Sequence, residues 1–197
     1  MSLVRFPHEQ YASLELNQVA FPKTGMVVSQ TPLGSAFTKE APCENGMWLV
    51  ADKAKGVLEA PGTLTTPIGI VYTTEKEYDN AHYGLKTFGR KISGDYPRVG
   101  IFGLGDTVTT NCLQYDNTES GFAATGAGDT AKTAEENMLA TLAACATTPV
   151  YVTSVSGEAI PKLTKTKPGS GTYGKVTKLY TVPNGEKGVK YEIVSLA

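Results

Sequence analysis

The sequence predicts a mainly β protein: a small antiparallel β-barrel or sandwich with one short helix, an extended N-terminal arm and a C-terminal β-hairpin. Three observations predict it. Short β-branched and aromatic runs recur between Gly46 and Asn111, broken by Gly, Pro and Asp at roughly ten-residue spacing. Helical periodicity with a start signal occurs near residues 133–146. An Asn-Gly pair, which supplies the positive φ of a tight turn, separates two β-rich runs near the C-terminus. A chain of 197 residues is long enough for one good core plus appendages, or for two small domains.

Residues 1–45 read as an extended arm. Pro7, Pro22, Pro32 and Pro42 recur too often for a long helix, because proline lacks the amide and clashes with the preceding turn. Apolar patches lie between them: Val4 with Phe6, Leu14 with Leu16, Val19 to Phe21 and Met26 to Val28. They suggest one or two strands. Such an arm either wraps its own barrel or lies across another subunit.

Residues 46–160 read as the body. Its strand-like runs are Met47 to Ala51, Val57-Leu58, Ile68 to Tyr72, Val99 to Phe102 and Val108 to Asn111. Between them, Thr73 to Asp95 is a long polar surface loop, and Gly103-Leu104-Gly105-Asp106 is a hairpin turn. Small polar residues at 116–130 form a linker. Thr133-Ala134-Glu135-Glu136 fits a capping box, with Met138, Leu139, Leu142 and Cys145 following at helical spacing. Pro149 stops that helix, which is expected to plug an end of the barrel. A further strand runs from Pro149 to Val155.

Residues 161–197 read as a flexible linker, 161–174, followed by the hairpin. Val176 to Val182 and Val189 to Val194 flank Pro183-Asn184-Gly185. The hairpin either joins the main sheet or projects from it.

Charge narrows the function classes. A net charge of −1 argues against a general nucleic-acid binder, whose footprint is strongly basic. The distribution is uneven. From Pro161 onward there are seven lysines and two glutamates, while residues 1–160 hold 11 basic and 17 acidic side chains. The basic end is either a solvated tail or a surface that meets an acidic partner. Cys43, Cys112 and Cys145 are odd in number and far apart, without metal-ligand spacing, and predict buried thiols. The first residues lack the apolar core of a secretory signal and no apolar run reaches membrane-spanning length, which predicts a soluble protein made in a cytoplasm.

The apparent motifs carry little chemistry. Gly169-Ser170-Gly171-Thr172-Tyr173-Gly174 matches a dinucleotide fingerprint, yet a β-rich run follows where a helix should open. Asp79 and His82 are three residues apart with no third ligand in view. No serine or cysteine sits in a nucleophile elbow. Trp48 and the tyrosines could stack on sugars, or serve packing. No catalytic, cofactor-binding or metal residue is assigned, and no enzyme activity or cofactor is expected. The side chains singled out for contact with a partner are Phe6, Tyr11 and Phe21 of the arm and Lys162, Lys165 and Lys167 of the basic end.

A proline-punctuated arm, a short-stranded β body and a projecting hairpin together resemble small virion proteins of tailed bacteriophages, the head decoration or cement class above all. The stretches that carry this are Leu3-Val4-Arg5-Phe6-Pro7, Glu44 to Val50, Pro67 to Tyr72 and Leu104 to Asn111. The resemblance implies a non-enzymatic structural protein on the capsid exterior, bound to the lattice of the major capsid protein and strengthening it. It also implies a homo-oligomer, such as a trimer on a capsid three-fold axis, with no membrane and no specific nucleic acid as partners. The alternative is a carbohydrate- or host-surface-binding β module, as in a head fibre or tail accessory protein.

Overall fold

The computed structural model describes residues 2–8, 12–14, 27–28 (backbone), 31–62, 67–73, 91–128, 131–181 and 185–197. Among these residues it is mainly β, with two sheets, one short helix and a C-terminal antiparallel hairpin, as the sequence predicts. The long loop expected over Thr73 to Asp95 lies outside the described residues for most of its length.

The smaller sheet has five strands in the order β2-β6-β5-β3-β4. These are β2 (Val27–Val28), β6 (Val99–Ile101), β5 (Ile68–Val71), β3 (Trp48–Asp52) and β4 (Val57–Glu59), all antiparallel to their neighbours. Both of its faces are covered. Trp48, Val50, Ile68 and Ile70 point into the main core, whereas Leu49, Leu58, Val71 and Val99 pack under Leu33, Phe37, Cys43 and Met47. Double coverage explains why β3 and β5 begin as continuous apolar runs instead of alternating. The close approach of the neighbouring strand β6 requires Gly69, where a Cβ would come within 2.7 Å of the Gly100 carbonyl oxygen.

The larger sheet has seven strands in the order β1-β8-β10-β9-β11-β12-β7. Its members are β1 (Leu3–Arg5), β7 (Thr107–Thr110), β8 (Gln114–Asp116), β9 (Tyr151–Val155), β10 (Glu158–Thr164), β11 (Tyr173–Thr181) and β12 (Lys187–Ser195). β7 and β8 are halves of one bent run. One half pairs with β12 and the other, in parallel, with β10, the outer members of the β10-β9-β11-β12 array. The run therefore closes that array into a ring. The turn Gly103 to Asp106, expected to close a hairpin, instead carries the chain from the smaller sheet to the larger. Asp106 fastens it, its Oδ2 accepting the Gly103 amide at 2.6 Å.

The ring and the inner face of the smaller sheet share one core. At its centre the Trp48 Nε1–H donates to the Tyr191 hydroxyl at 3.1 Å, and the indole meets Phe102 edge-on at 5.1 Å between ring centres. Helix α1 (Ala134–Ala143) buries Met138 and Leu142 against this core, with Cys145 following. Its capping box is formed: Thr133 Oγ1 accepts the Glu136 amide at 3.2 Å and Glu136 Oε2 accepts the Thr133 amide at 2.7 Å. Thr133→Ala removes the cap, so a loss of about 1 kcal/mol is expected. Calorimetry should show it as a fall in Tm of about 2–4 °C.

Two boundaries expected from the sequence move. Residues 161–164 are not linker but the second half of β10, and Pro161, which has no amide to give a ladder, sits where the register slips between Glu158 and Lys162. Glu119 pins the end of this strand, its Oε1 accepting from Thr164 Oγ1 at 2.9 Å and from the Lys165 amide at 2.6 Å. The hairpin does not project, since β11 pairs with β9 and β12 with β7, and Val176, Val189, Tyr191 and Ile193 belong to the common core.

The described parts of the arm wrap their own body. β1 pairs with β8, the Phe6 amide donates to Leu113 O at 2.8 Å, and Leu14 bridges to Thr110, so residues 3–6 and 12–14 follow the outer edge of the bent run.

Candidate functional site

The residues singled out for partner contact do not gather in one place. Phe6 is completely buried in the main core, where it anchors β1, and offers a partner nothing. It reads as an exposed arm aromatic in sequence because the short run around it does not reveal that β8 receives it. Tyr11 and Phe21 lie outside the described residues. Lys162 stands on β10 opposite Gln114 and Thr153. The stem of Lys165 crosses Gly121, where a Cβ would come within 2.8 Å of its Cδ. Lys167 is exposed in the turn after β10.

The other candidates are structural or unplaced. Trp48 has no exposed surface and cannot present a face to a sugar. Arg98 lies over the Tyr72 ring at 5.4 Å. Asp79 and His82 lie outside the described residues, and His8 Nδ1 is 2.7 Å from Phe6 O. Tyr173 opens β11, so a strand does follow the glycine run at 169–171. All three cysteines are free and buried. Burial pushes the Cys112 thiol up to about 12, and raises Cys43 as well with help from Cys112 and Glu44. Neither is a thiolate at neutral pH. Among the described residues no group of three or more His, Cys, Asp or Glu is placed to hold a metal ion. Among them, too, no helix is long and apolar enough to cross a membrane.

Two surface features remain. The first is the outer face of the β11–β12 hairpin. Val189, Tyr191 and Ile193 point into the core, so Lys190, Glu192 and Val194 point away. A register shift between Val176 and Lys178 places Lys178 directly opposite Lys190. Like charges opposed across a ladder are destabilising. Neither lysine has an ion pair among the described residues; Lys178 is exposed and Lys190 half-buried, while Lys175 on the same hairpin stands opposite Glu192.

The second is a cleft of about 460 Å³ between the 36–44 loop, the end of β1 and the start of β10. Phe37, Met47 and Ile160 supply apolar wall, and Arg5, Glu40, Glu44 and Glu158 the charge. Glu44 is the deepest carboxylate, with its side chain only 10% exposed. Its Oε2 accepts from Arg5 Nη2 at 3.1 Å and from the Ala12 amide at 3.3 Å. The Arg5 Nε–H is buried with no acceptor among the described residues. Sequence reasoning passed over this pair, because 39 residues separate its members and no motif spacing joins them.

The chain matches no protein-family model, no curated protein and no solved structure.

Proposed function

We propose that this protein is a non-enzymatic virion component that binds the outside of a bacteriophage capsid and stabilises the shell, as a decoration or cement protein. The observation that carries this reading is the opposed pair Lys178 and Lys190 on an open sheet face. The fold gains nothing from placing two ammonium groups across a ladder, whereas an acidic surface laid against them would be attracted to both and offset their mutual repulsion. The lattice of the major capsid protein is the proposed partner. A face of this kind gives a weak contact on its own, and many copies on one shell, associated as a closed homo-oligomer, multiply it. The resemblance of the framework stretches to virion proteins supports the same assignment.

The test is cosedimentation of the purified protein with capsid shells stripped of it. Binding is expected to weaken as salt rises, since exposed charges are screened beyond roughly 8–10 Å at physiological ionic strength. Lys178→Glu combined with Lys190→Glu should retain the wild-type urea midpoint and lose at least about tenfold in affinity, roughly 1.4 kcal/mol. Wild-type protein that stays in the supernatant at low salt, or a double variant that pellets as well as wild type, overturns the assignment.

A further inference from the structure

We propose that the cleft beside Arg5 and Glu44 binds a lysine side chain presented by a partner polypeptide, with the ammonium group against Glu44. Four features of the cleft lead there. Its volume of about 460 Å³ holds a long side chain together with the backbone on either side of it. Among the described residues its charged lining comprises three carboxylates and one guanidinium, so it favours a cation. Glu40 and Glu158 are exposed and have no ion pair among the described residues, which leaves them free to draw a cation in. Both hydrogen bonds that Glu44 accepts from described residues end on Oε2, so Oε1 is left over in a side chain that is otherwise buried.

The leftover oxygen selects the kind of cation. A guanidinium is recognised best by two acceptors in its own plane, and one carboxylate oxygen here is already committed to Arg5 and Ala12. A compact ammonium needs only a point of negative charge. The walls agree, because the methylene stem of a lysine buries well along Phe37, Met47 and Ile160 while its head reaches a polar group. A small hydrated metal ion would find a single deep carboxylate and apolar walls, too few oxygens for a hard cation.

The experiment uses the isolated full chain and so is independent of capsid attachment. The probe is a capped pentapeptide with a central lysine, titrated while amide chemical shifts of residues 36–47 and 157–160 are followed. Saturable shifts at these residues are expected, with binding weakened at least about tenfold when the lysine is Nε-acetylated and several-fold when it is replaced by arginine. Glu44→Gln should abolish binding. Because that variant also disturbs the Arg5 pair, and with it the packing of β1, Glu40→Gln with Glu158→Gln is the second arm, expected to keep the native spectrum and weaken binding about threefold at low salt. An acetylated peptide that binds as tightly as the free lysine overturns the proposal. So do absence of saturable shifts, indifference to the Glu40/Glu158 double change, and a free diamine that outcompetes the peptide.

Discussion

Trp48→Ala is expected to lower the free energy of unfolding by about 3–5 kcal/mol, the range for removing a large aromatic side chain from a packed core. Trp48 joins the two sheets. Its backbone lies in β3, its ring packs on Phe102 at 5.1 Å and Tyr191 at 6.2 Å, and its Nε1–H donates to the Tyr191 hydroxyl at 3.1 Å. Truncation opens a cavity between the sheets and also removes a partner from a buried hydroxyl. Tyr191→Phe separates the two effects. It keeps the ring and leaves the indole N–H without an acceptor, at an expected cost of about 1–3 kcal/mol. Burial raises the Tyr191 phenol well above its ordinary range, so this hydroxyl stays protonated throughout the working pH range. Urea titration of both variants and of the double variant measures the coupling. A Trp48→Ala cost below about 1.5 kcal/mol would mean that the sheets are held together elsewhere.

How far the fold could be read in advance depended on whether the relevant signal was local. The helix was legible because a capping box and a spaced apolar face lie within about fifteen residues. The final hairpin was legible because two β-rich runs flank Gly185, which takes the positive φ, 90°, expected of a turn glycine. Long-range partnerships were not legible. Leu49 and Trp48 are both apolar, and nothing local says that one faces the ring and the other faces Leu33 and Phe37. Pro161 resembles a linker proline until the register slip in β10 is seen to accommodate it. The same holds for the two surface features. Lys178 opposes Lys190 only because of an irregularity between Val176 and Lys178, and Arg5 meets Glu44 only because β1 is laid along β8. A charge surplus was visible in the sequence; its position was set by register.

Removing the N-terminal segment should do far more than free an arm. Were residues 1–45 an appendage, their deletion would leave a folded barrel. The structure makes the opposite prediction. Residues 3–6 and 12–14 cover the outer edge of the run from Thr107 to Asp116, and residues 33–47 cover the outer face of the smaller sheet. Without them the edges of β7 and β8 lie bare, and so does an apolar face formed by Leu49, Leu58, Val71 and Val99; bare edges and faces of this kind promote aggregation. Phe6→Ala isolates the smallest part of this effect. The side chain is fully buried in the main core and its own amide is held by Leu113, so a loss of about 3–5 kcal/mol is expected, comparable with that at Trp48. The deletion itself should abolish cooperative unfolding, read as a featureless calorimetric trace and a loss of dispersed amide resonances. A truncated chain that still unfolds cooperatively, with an unchanged denaturant slope, would show that these residues adorn the barrel instead of completing it.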